Sequence, residues 1–333
     1  MKSIVYNGPN KIDVEDKPMP ICSDNEVLIK VAYSGICGTD LNIYVGAHPR
    51  AAAPLIIGHE LSGVVAEDYP SLPKGTPVTV RPLLFCGECT PCLTGNSHVC
   101  KTLKLIGIDT DGSMAEYVKV PADKIHVLPE DISLELGAFT EPLAVGVHAV
   151  KRSGFSFGNS AIVFGAGTIG LSVASSLKLL YKANTLIVET NPFRRKIAEE
   201  LGFTVIDPSK DNLDAAVSNF TNGNGVDFVF DCAGHPKVAE QLVGLVKVHG
   251  TVVIVGAYKK PAALDLLGMM FKEVNVMGVR VYEPEDFDIA IKLLEEPFDF
   301  GKIITHILPV EKAQEGFDVL LSGGDAVKVM FKF

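Results

Sequence analysis

The stretch SAIVFGAGTIG constrains the fold of this 333-residue chain more than any other part of its sequence. An apolar run ends in three glycines with the spacing G-x-G-x-x-G, at Gly165, Gly167 and Gly170, and a helical pattern follows directly. In such a motif the first glycine permits a tight turn, the second lets the backbone approach a pyrophosphate, and the third lets the helix pack closely on the strand. The N-terminus of the helix attracts phosphate charge. We therefore predict a dinucleotide site in which Thr168 and Ile169 also take part.

The sequence around this motif has two different textures. From about Pro142 onward, apolar strand-like runs such as NTLIVET, VDFVFDCAG and GTVVIVGA alternate with helical segments. This alternation indicates βαβ units and a parallel sheet buried on both faces. The first 140 residues instead contain short β-branched runs broken by Pro and Gly, which is typical of a β domain with many turns. An α/β protein with a β-rich part and a doubly wound parallel-sheet part is the predicted fold.

The segment after the glycine motif indicates which dinucleotide is bound. The next strand, TLIVET, ends in Glu189, where a carboxylate binds the ribose hydroxyls and repels a 2′-phosphate, so that NAD is favoured over NADP. Arg194 and Arg195 lie nearby and could be interpreted as a 2′-phosphate site. We favour an interpretation in which they flank the adenosine or are solvated, and we assign Arg194 to the cofactor. Gly256, at the end of GTVVIVGA, is a further candidate for cofactor binding.

Composition and charge limit the partners and the compartment. The chain is 47% apolar and 21% charged, and its net charge is −10. This acidity argues against a nucleic-acid or membrane partner, because such partners select a basic face. The N-terminus has no signal-peptide pattern, and no segment approaches the ~20 apolar residues that span a bilayer. We expect a cytoplasmic chain with reduced cysteines, and such cysteines indicate metal binding rather than disulfides.

Four cysteines lie within the stretch LFCGECTPCLTGNSHVC. Their spacing is C-x2-C-x2-C-x7-C, at Cys86, Cys89, Cys92 and Cys100. Four thiolates at this spacing can complete the tetrahedral shell of a zinc ion, which leaves no position for a substrate and predicts a structural site. An iron–sulfur cluster is the alternative, but the irregular last spacing and the lack of a second cysteine set disfavour it.

A second set of metal-binding residue types lies outside the cysteine stretch. GICGTD contains Cys37, IIGHELSG contains His59 and Glu60, and TEPLAV contains Glu141. Each alone has a structural interpretation: a small buried thiol, a turn histidine, or an acid at a helix N-terminus.

Taken together, these motifs resemble the zinc-dependent medium-chain alcohol and polyol dehydrogenases, and specifically their sorbitol dehydrogenase-like branch. GICGTD, GHExxG, the four-cysteine stretch, DGSMAEY, EPLAV and GAGTIG carry the resemblance, which covers essentially the full length. It implies a GroES-like, β-rich catalytic domain at residues 1–142 and a Rossmann NAD-binding domain at residues 143–279. Residues 280–333 would return to the catalytic domain. The resemblance further implies a homo-oligomer, either a tetramer or a dimer.

The resemblance also implies the roles of the site residues. Cys37 and His59 would bind a catalytic zinc, while Glu60 and Glu141 would lie near it, one as a third ligand and the other holding zinc-bound water. Which carboxylate takes which role stays open. Thr39 occupies the position of the proton-relay hydroxyl. Zinc would bind the substrate alcohol as a Lewis acid and lower its pKa, and NAD would accept the hydride.

The chain departs from the family pattern at the end of the proton relay. Many relatives place a histidine five residues after the ligand cysteine, whereas this chain has Asn42. Asparagine does not titrate near neutral pH. The last relay step would therefore use water or another group such as His48.

The residue types near the predicted zinc suggest the substrate. Glu60, Glu141 and Thr39, with Tyr44 and Arg280 as candidate substrate contacts, would form a polar pocket suited to a polyhydroxylated small molecule. We expect oxidation of a secondary hydroxyl of a sugar alcohol or sugar acid to the ketone. The alternatives are a butanediol- or threonine-type dehydrogenase and, from a different class, a non-catalytic scaffold protein with this fold.

Overall fold

The computed structural model describes residues 1–333, and the chain divides into two compact units. The first comprises residues 1–141 together with residues 283–333, and the second comprises residues 142–282. The C-terminal segment therefore belongs to the same unit as the N-terminal part. No helix is both long enough and apolar enough to span a membrane.

The first unit is mainly β structure. Its strands are β1 (Lys2–Gly8), β2 (Lys11–Asp16), β3 (Glu26–Gly35), β4 (Leu55–Ile56), β5 (Glu60–Val65), β6 (Pro77–Val80), β7 (Leu83–Leu84), β8 (Lys104–Leu105), β9 (Tyr117–Pro121), β10 (Ile125–Val127), β17 (Ile304–Pro309) and β18 (Lys328–Lys332). Its helices are α1 (Gly38–Tyr44), α2 (Thr90–Leu93), α3 (Leu134–Gly137), α10 (Pro284–Leu294) and α11 (Ala313–Leu321), with short 3-10 helices at Ser97–Val99, Ala122–Lys124, Phe300–Ile303 and Val310–Lys312.

The largest sheet of this unit is organised around β3. Its strand order is β10-β6-β5-β3-β18-β17, and β9 also pairs with β3. β3 is antiparallel to β5 on one side and to β18 on the other, so the last strand of the chain lies beside one of the first. Buried Val, Ile and Leu side chains from these strands form the core. They come from the β-branched runs that predicted strands, because such side chains pack well on a pleated surface.

The second unit alternates strands and helices. Its strands are β11 (Ser160–Phe164), β12 (Asn184–Val188), β13 (Thr204–Ile206), β14 (Val226–Asp231), β15 (Val246–Ile254) and β16 (Asn275–Gly278). Its helices are α4 (Thr140–Ser153), whose first two residues belong to the first unit, α5 (Thr168–Tyr181), α6 (Pro192–Glu200), α7 (Leu213–Thr221), α8 (Pro236–Leu245) and α9 (Leu266–Lys272).

All six strands of this unit are parallel, in the order β13-β12-β11-β14-β15-β16. The order reverses direction at β11, which is the switch point of a doubly wound sheet and the place where such sheets bind nucleotides. The predicted fold class is thereby confirmed. The glycine motif lies at the end of β11. A Cβ on Gly170 would approach the carbonyl oxygen of Gly165 to 1.8 Å, so α5 could not start so close to the strand with any other residue there.

Candidate active site

The four cysteines of the predicted structural site lie together in a loop of the first unit. All four are free thiols, and the Sγ–Sγ distances are 3.4 Å for Cys89–Cys92, 3.5 Å for Cys86–Cys100, 3.8 Å for Cys89–Cys100 and 3.9 Å for Cys86–Cys92. Thiolates bound to one tetrahedral zinc lie about 3.8 Å apart. A hydrogen bond from the backbone N–H of Cys86 lowers the pKa of Cys100 to about 6, whereas burial raises the pKa of Cys92 to about 12, so the fit to zinc rests on the Sγ–Sγ distances. The thiols therefore fit a four-coordinate zinc.

The second candidate metal centre is formed by Cys37, His59 and Glu60. Each offers a ligand atom within 4.8 Å of the others, and His59 and Glu60 are buried. Cys37 immediately precedes α1, His59 immediately precedes β5, and Glu60 is the first residue of β5, which is paired with β3. A thiolate, an imidazole and a carboxylate form a donor set typical of catalytic zinc. The residues present fit that metal.

Asp40 connects two of these candidate ligands. It is fully buried, and its Oδ2 accepts a hydrogen bond of 2.8 Å from the backbone N–H of Cys37. Its Oδ1 lies 3.7 Å from Nδ1 of His59, and neither of these two atoms has a hydrogen-bond partner. A carboxylate behind a metal-binding histidine fixes its ring and tautomer. Asp40 thus holds the turn that carries Cys37, and its other carboxylate oxygen faces the His59 ring.

Glu60 has a buried counter-ion, Lys328. Nζ of Lys328 donates to both carboxylate oxygens of Glu60, at 2.7 and 2.6 Å, and to the carbonyl oxygen of Ile36 at 2.9 Å. Gly35 lies on β3, between the two strands that carry these side chains. It pairs with Glu60 across β3–β5 and with Met330 across β3–β18. A Cβ on Gly35 would lie 2.0 Å from Oε2 of Glu60. The missing side chain leaves the space that the carboxylate occupies.

The other predicted active-site residues lie in the same unit. Glu141 is buried at the start of α4, outside the three-residue ligand group, but its charge acts on His59. Burial opposes a charge on His59, yet Asp40, Cys37 and Glu141 outweigh it and raise the pKa of His59 well above its ordinary value. The same excess of negative groups attracts a metal cation. Thr39 is partly exposed in the first turn of α1, two residues after Cys37.

At the predicted cofactor site, Glu189 contacts the glycine loop directly. Its Oε2 accepts a hydrogen bond of 2.7 Å from the backbone N–H of Ala166, and its Oε1 accepts one of 2.8 Å from Asn191. Glu189 is buried, so this carboxylate shapes the loop at the end of β11. The cofactor candidates Gly167, Thr168, Ile169 and Gly256 are partly exposed, while Gly170 is buried.

The two neighbouring arginines have different environments. Arg195 binds Oδ2 of Asp207 at 3.0 Å and the carbonyl oxygens of Glu189 and Thr190 at 3.1 and 2.5 Å. Its guanidinium therefore ties the end of β12 to the end of β13. Arg194 points to the glycine loop, since its Nη1 would lie 3.8 Å from a Cβ on Gly167.

Three residues considered for the substrate or the proton relay are placed as follows. Tyr44 is 7% exposed, its hydroxyl accepts a 3.0 Å hydrogen bond from Gln314, and its ring packs on Phe317. Arg280 is exposed in the second unit.

The hydrogen bonds of His48 indicate which of its ring nitrogens carries the proton. Nδ1 of His48 accepts from the backbone N–H groups of Arg50 and Ala51, at 3.4 and 3.2 Å, so its Nε2 carries the proton in the neutral ring. In that tautomer His48 donates rather than accepts at Nε2.

Sequence reasoning missed Asp40, Gly35 and Lys328. Asp40 is part of GICGTD, and its position three residues into the helix after Cys37 was the available signal. For Lys328, the signal was a lysine in the apolar final strand AVKVMFKF, where an unpaired charge would be costly. Gly35 gave no signal without the pairing of its strand.

Comparison with known proteins identifies the family. Residues 23–130 match the model of the alcohol dehydrogenase GroES-like domain, and residues 168–296 match that of the zinc-binding dehydrogenases. The chain is 38% identical to 2-dehydro-3-deoxy-L-galactonate 5-dehydrogenase of Pseudoalteromonas atlantica, over 94% of this chain and 93% of the relative. It is 35% identical to L-threonine 3-dehydrogenase of Bacillus velezensis, over 97% of this chain and 96% of the relative.

Solved structures show the same relationship. A short-chain alcohol dehydrogenase from E. coli CFT073, crystallised with NADH, superposes with a TM-score of 0.92 at 28% identity, over 100% of this chain and 99% of that one. The predicted GroES-like and Rossmann folds are confirmed. The chain belongs to the family of zinc-dependent medium-chain alcohol and polyol dehydrogenases, and it is an oxidoreductase acting on CH–OH groups.

Proposed function

We propose that this protein oxidises a secondary hydroxyl of a sugar acid or sugar alcohol to the ketone, reversibly and with NAD. The group formed by Cys37, His59 and Glu60, of which His59 and Glu60 are buried and which is supported by Asp40 and Lys328, is the observation that carries the proposal. A non-catalytic scaffold would have no need to place these ligand types beside one another with His59 and Glu60 buried, since each buried charge is costly. The 38% identity to a sugar-acid dehydrogenase favours that substrate class.

When bound, zinc supplies Lewis acidity that lowers the pKa of an alcohol, and NAD supplies the hydride acceptor. The chain's residues hold and orient these groups. Cys37 and His59 would bind the metal, and Asp40 would keep the His59 ring in place. Thr39, partly exposed beside Cys37, would move the proton outward. Because Asn42 cannot titrate and Nε2 of His48 already carries a proton, we propose that the last acceptor is water.

Distances favour Glu60 over Glu141 as the third ligand. Glu60 offers an oxygen within 4.8 Å of the Cys37 and His59 ligand atoms, whereas Glu141 is outside this group. A carboxylate has about four lone-pair sites, so Glu60 can accept from Lys328 and still face a metal. We therefore propose Glu60 as the ligand and Glu141 as the group that holds water or substrate hydroxyls.

In the second unit, the glycine loop with Thr168 and Ile169 would receive the pyrophosphate at the start of α5, where backbone N–H groups and the helix dipole favour negative charge. Glu189 would face the adenosine ribose, and Arg194 would flank it. This arrangement supports NAD over NADP, because Arg195 is already bound to Asp207 and two carbonyl groups.

The proposal is tested by NAD reduction across a panel of aldonates, polyols, vicinal diols and L-threonine, with and without a strong chelator. Chelator-sensitive oxidation of an aldonate or polyol is the expected result, and a Cys37→Ser variant serves as the inactive control. L-Threonine is the second candidate substrate, because of the 35% identity to a threonine dehydrogenase. Failure to oxidise any panel member by a protein loaded with zinc would favour the scaffold alternative.

We also propose a homo-oligomer that forms through the second unit. Its sheet ends in β16, an unpaired edge strand in which Val276 is exposed, and the neighbouring α9 exposes Leu266, Leu267, Met270 and Phe271. An unpaired edge beside an exposed apolar helix favours pairing with a second copy of the chain. Light scattering on a Phe271→Asp variant tests this: a smaller particle than the wild type is expected. A tetramer is the assembly we favour.

We also propose a cytoplasmic location for this protein. Both candidate metal centres require reduced thiols, and all seven cysteines are free. Cell fractionation of the native host tests this proposal: the protein is expected in the cytoplasmic fraction, and its recovery from a secreted fraction would contradict it.

A further inference from the structure

Asp231, the last residue of β14, is a fully buried carboxylate that binds two loops at once. Its Oδ1 accepts 3.0 Å hydrogen bonds from the backbone N–H groups of Ala233 and Gly234. Its Oδ2 accepts a 2.5 Å hydrogen bond from the hydroxyl of Tyr258, in the loop that follows β15. All three donors are neutral groups, so the buried side-chain oxygens of Asp231 are stabilised by hydrogen bonds and not by an ion pair with any of them.

The backbone of Asp231 adds to the same connection. Its carbonyl oxygen accepts from the N–H groups of Val255 and Gly256, at 2.9 and 2.7 Å. The two loops are in close contact, since a Cβ on Gly256 would lie 2.5 Å from the backbone nitrogen of Gly234. Side chain and main chain of one residue thus hold the loop after β14 against the loop after β15.

These loops lie at the edge of the sheet where the glycine motif lies. β14 is the parallel neighbour of β11, and β15 is the parallel neighbour of β14, so all three strands end at one edge. A Cβ on Gly165 would lie 3.6 Å from the backbone nitrogen of Ala233, which is ordinary contact. Ligands of open α/β sheets bind outside the carboxyl ends of the strands.

We propose that Asp231 and Tyr258 form a brace that holds the 255–258 loop in the conformation that receives the dinucleotide, so that Tyr258 is a cofactor-positioning residue. The inference rests on the proposed NAD-linked function, but it concerns dinucleotide binding and not the oxidation of any substrate. Burial and the bond to Asp231 raise the pKa of Tyr258 above its ordinary value, so the phenol keeps its proton and donates.

Removal of the Tyr258 hydroxyl would leave a buried oxygen of Asp231 without its donor. Leaving a buried acceptor unsatisfied is costly, and movement of the partly exposed loop to admit water would relieve it. The loop would then have to be reordered when the dinucleotide binds. Such a loss of preorganisation weakens binding and leaves the chemistry of the bound complex largely unchanged.

The test is the Kd of NADH for the zinc-loaded, full-length protein, measured without substrate by calorimetry or by the fluorescence of the dinucleotide. The chain has no tryptophan, so the dinucleotide signal is free of energy transfer from indole. Tyr258→Phe is expected to raise the Kd by about tenfold. With an oxidisable substrate, KM for NAD should rise while kcat at saturating NAD changes less than about twofold.

Tyr181→Phe is the matched control. It removes a hydroxyl from the same unit, where the ring packs on Phe155 and Phe157 at centroid distances of 5.4 and 5.5 Å, and it should leave the Kd unchanged. Asp231→Asn is a second variant that should also weaken NADH. If it does not fold, Tyr258→Phe alone decides.

An unchanged Kd for Tyr258→Phe, even with a lower melting temperature, would overturn the inference, as would an equal loss in Tyr181→Phe. A wild-type protein that binds no dinucleotide would overturn it as well. If the wild type binds NADH, Tyr258→Phe weakens it, and no panel substrate is oxidised, the proposed function fails while the brace stands.

Discussion

Lys328 and Glu60 form a buried ion pair in which one ammonium group contacts both oxygens of one carboxylate, with exposures of 2% and 1% for the two side chains. The pair joins the last strand of the chain to the strand that begins at the candidate catalytic zinc site. Lys328 also donates to the carbonyl oxygen of Ile36, directly before Cys37. The C-terminal segment thus supports the metal site from behind.

Replacement of Lys328 by Met should be strongly destabilising. In the zinc-free protein it leaves the buried charge of Glu60 without a counter-ion, and breaking a buried pair by removing one partner costs about 3–5 kcal/mol. Urea unfolding of the variant measures this loss. Lys332→Met, at the exposed end of the same strand, is the control and should change the unfolding free energy by less than about 0.5 kcal/mol.

The double variant Lys328→Met with Glu60→Gln separates the interaction energy of the ion pair from the effects of the two individual substitutions. Because both charges are removed, much of the lost stability should return, and the two substitutions should be clearly non-additive. Additive effects would show that the two side chains do not depend on each other.

Gly35→Ala should damage the same site through sterics. The new Cβ would lie 2.0 Å from Oε2 of Glu60, so the carboxylate must leave its position or β3 must shift. We expect a loss of about 1–3 kcal/mol in stability together with reduced zinc retention. Gly38→Ala is the matched control, because a Cβ on Gly38 meets nothing within 4 Å. Equal stability and zinc content for both alanine variants would show that the Glu60 carboxylate does not need the space left by the missing side chain of Gly35.

The fold was accessible from the sequence because its signals are local. The spacing of Gly165, Gly167 and Gly170 and the alternation of strands and helices lie within short windows, as do the four clustered cysteines. The support of the active site is not local: Lys328 and Glu60 are 268 residues apart and meet only because β18 and β5 flank β3. No periodicity in the sequence reports that strand order.

The structural zinc loop should matter for stability rather than for the chemical step. Its four thiols surround one tetrahedral position and leave no site for a substrate. Cys100→Ser should therefore lower the melting temperature and the zinc content, while kcat of the protein that remains folded stays close to that of the wild type. Metal analysis, calorimetry and kinetics on the same preparation check this. A variant with full stability but no turnover would place catalysis at the four-cysteine loop instead.

Arg194 and Arg195 look equivalent in the sequence, yet the structure predicts different effects for them. Arg195 is 14% exposed and bound to Asp207 and to the carbonyl oxygens of Glu189 and Thr190, so Arg195→Ala should cost about 1–3 kcal/mol of stability. It should not change the preference for NAD over NADP, since its guanidinium is already bound within the protein. Arg194→Ala should instead weaken dinucleotide binding, because this side chain points to Gly167 of the glycine loop. Melting curves and Kd values for NADH and NADPH, measured on both variants, separate the two roles. The expectation fails if Arg195→Ala alters the ratio of the two Kd values more than Arg194→Ala does.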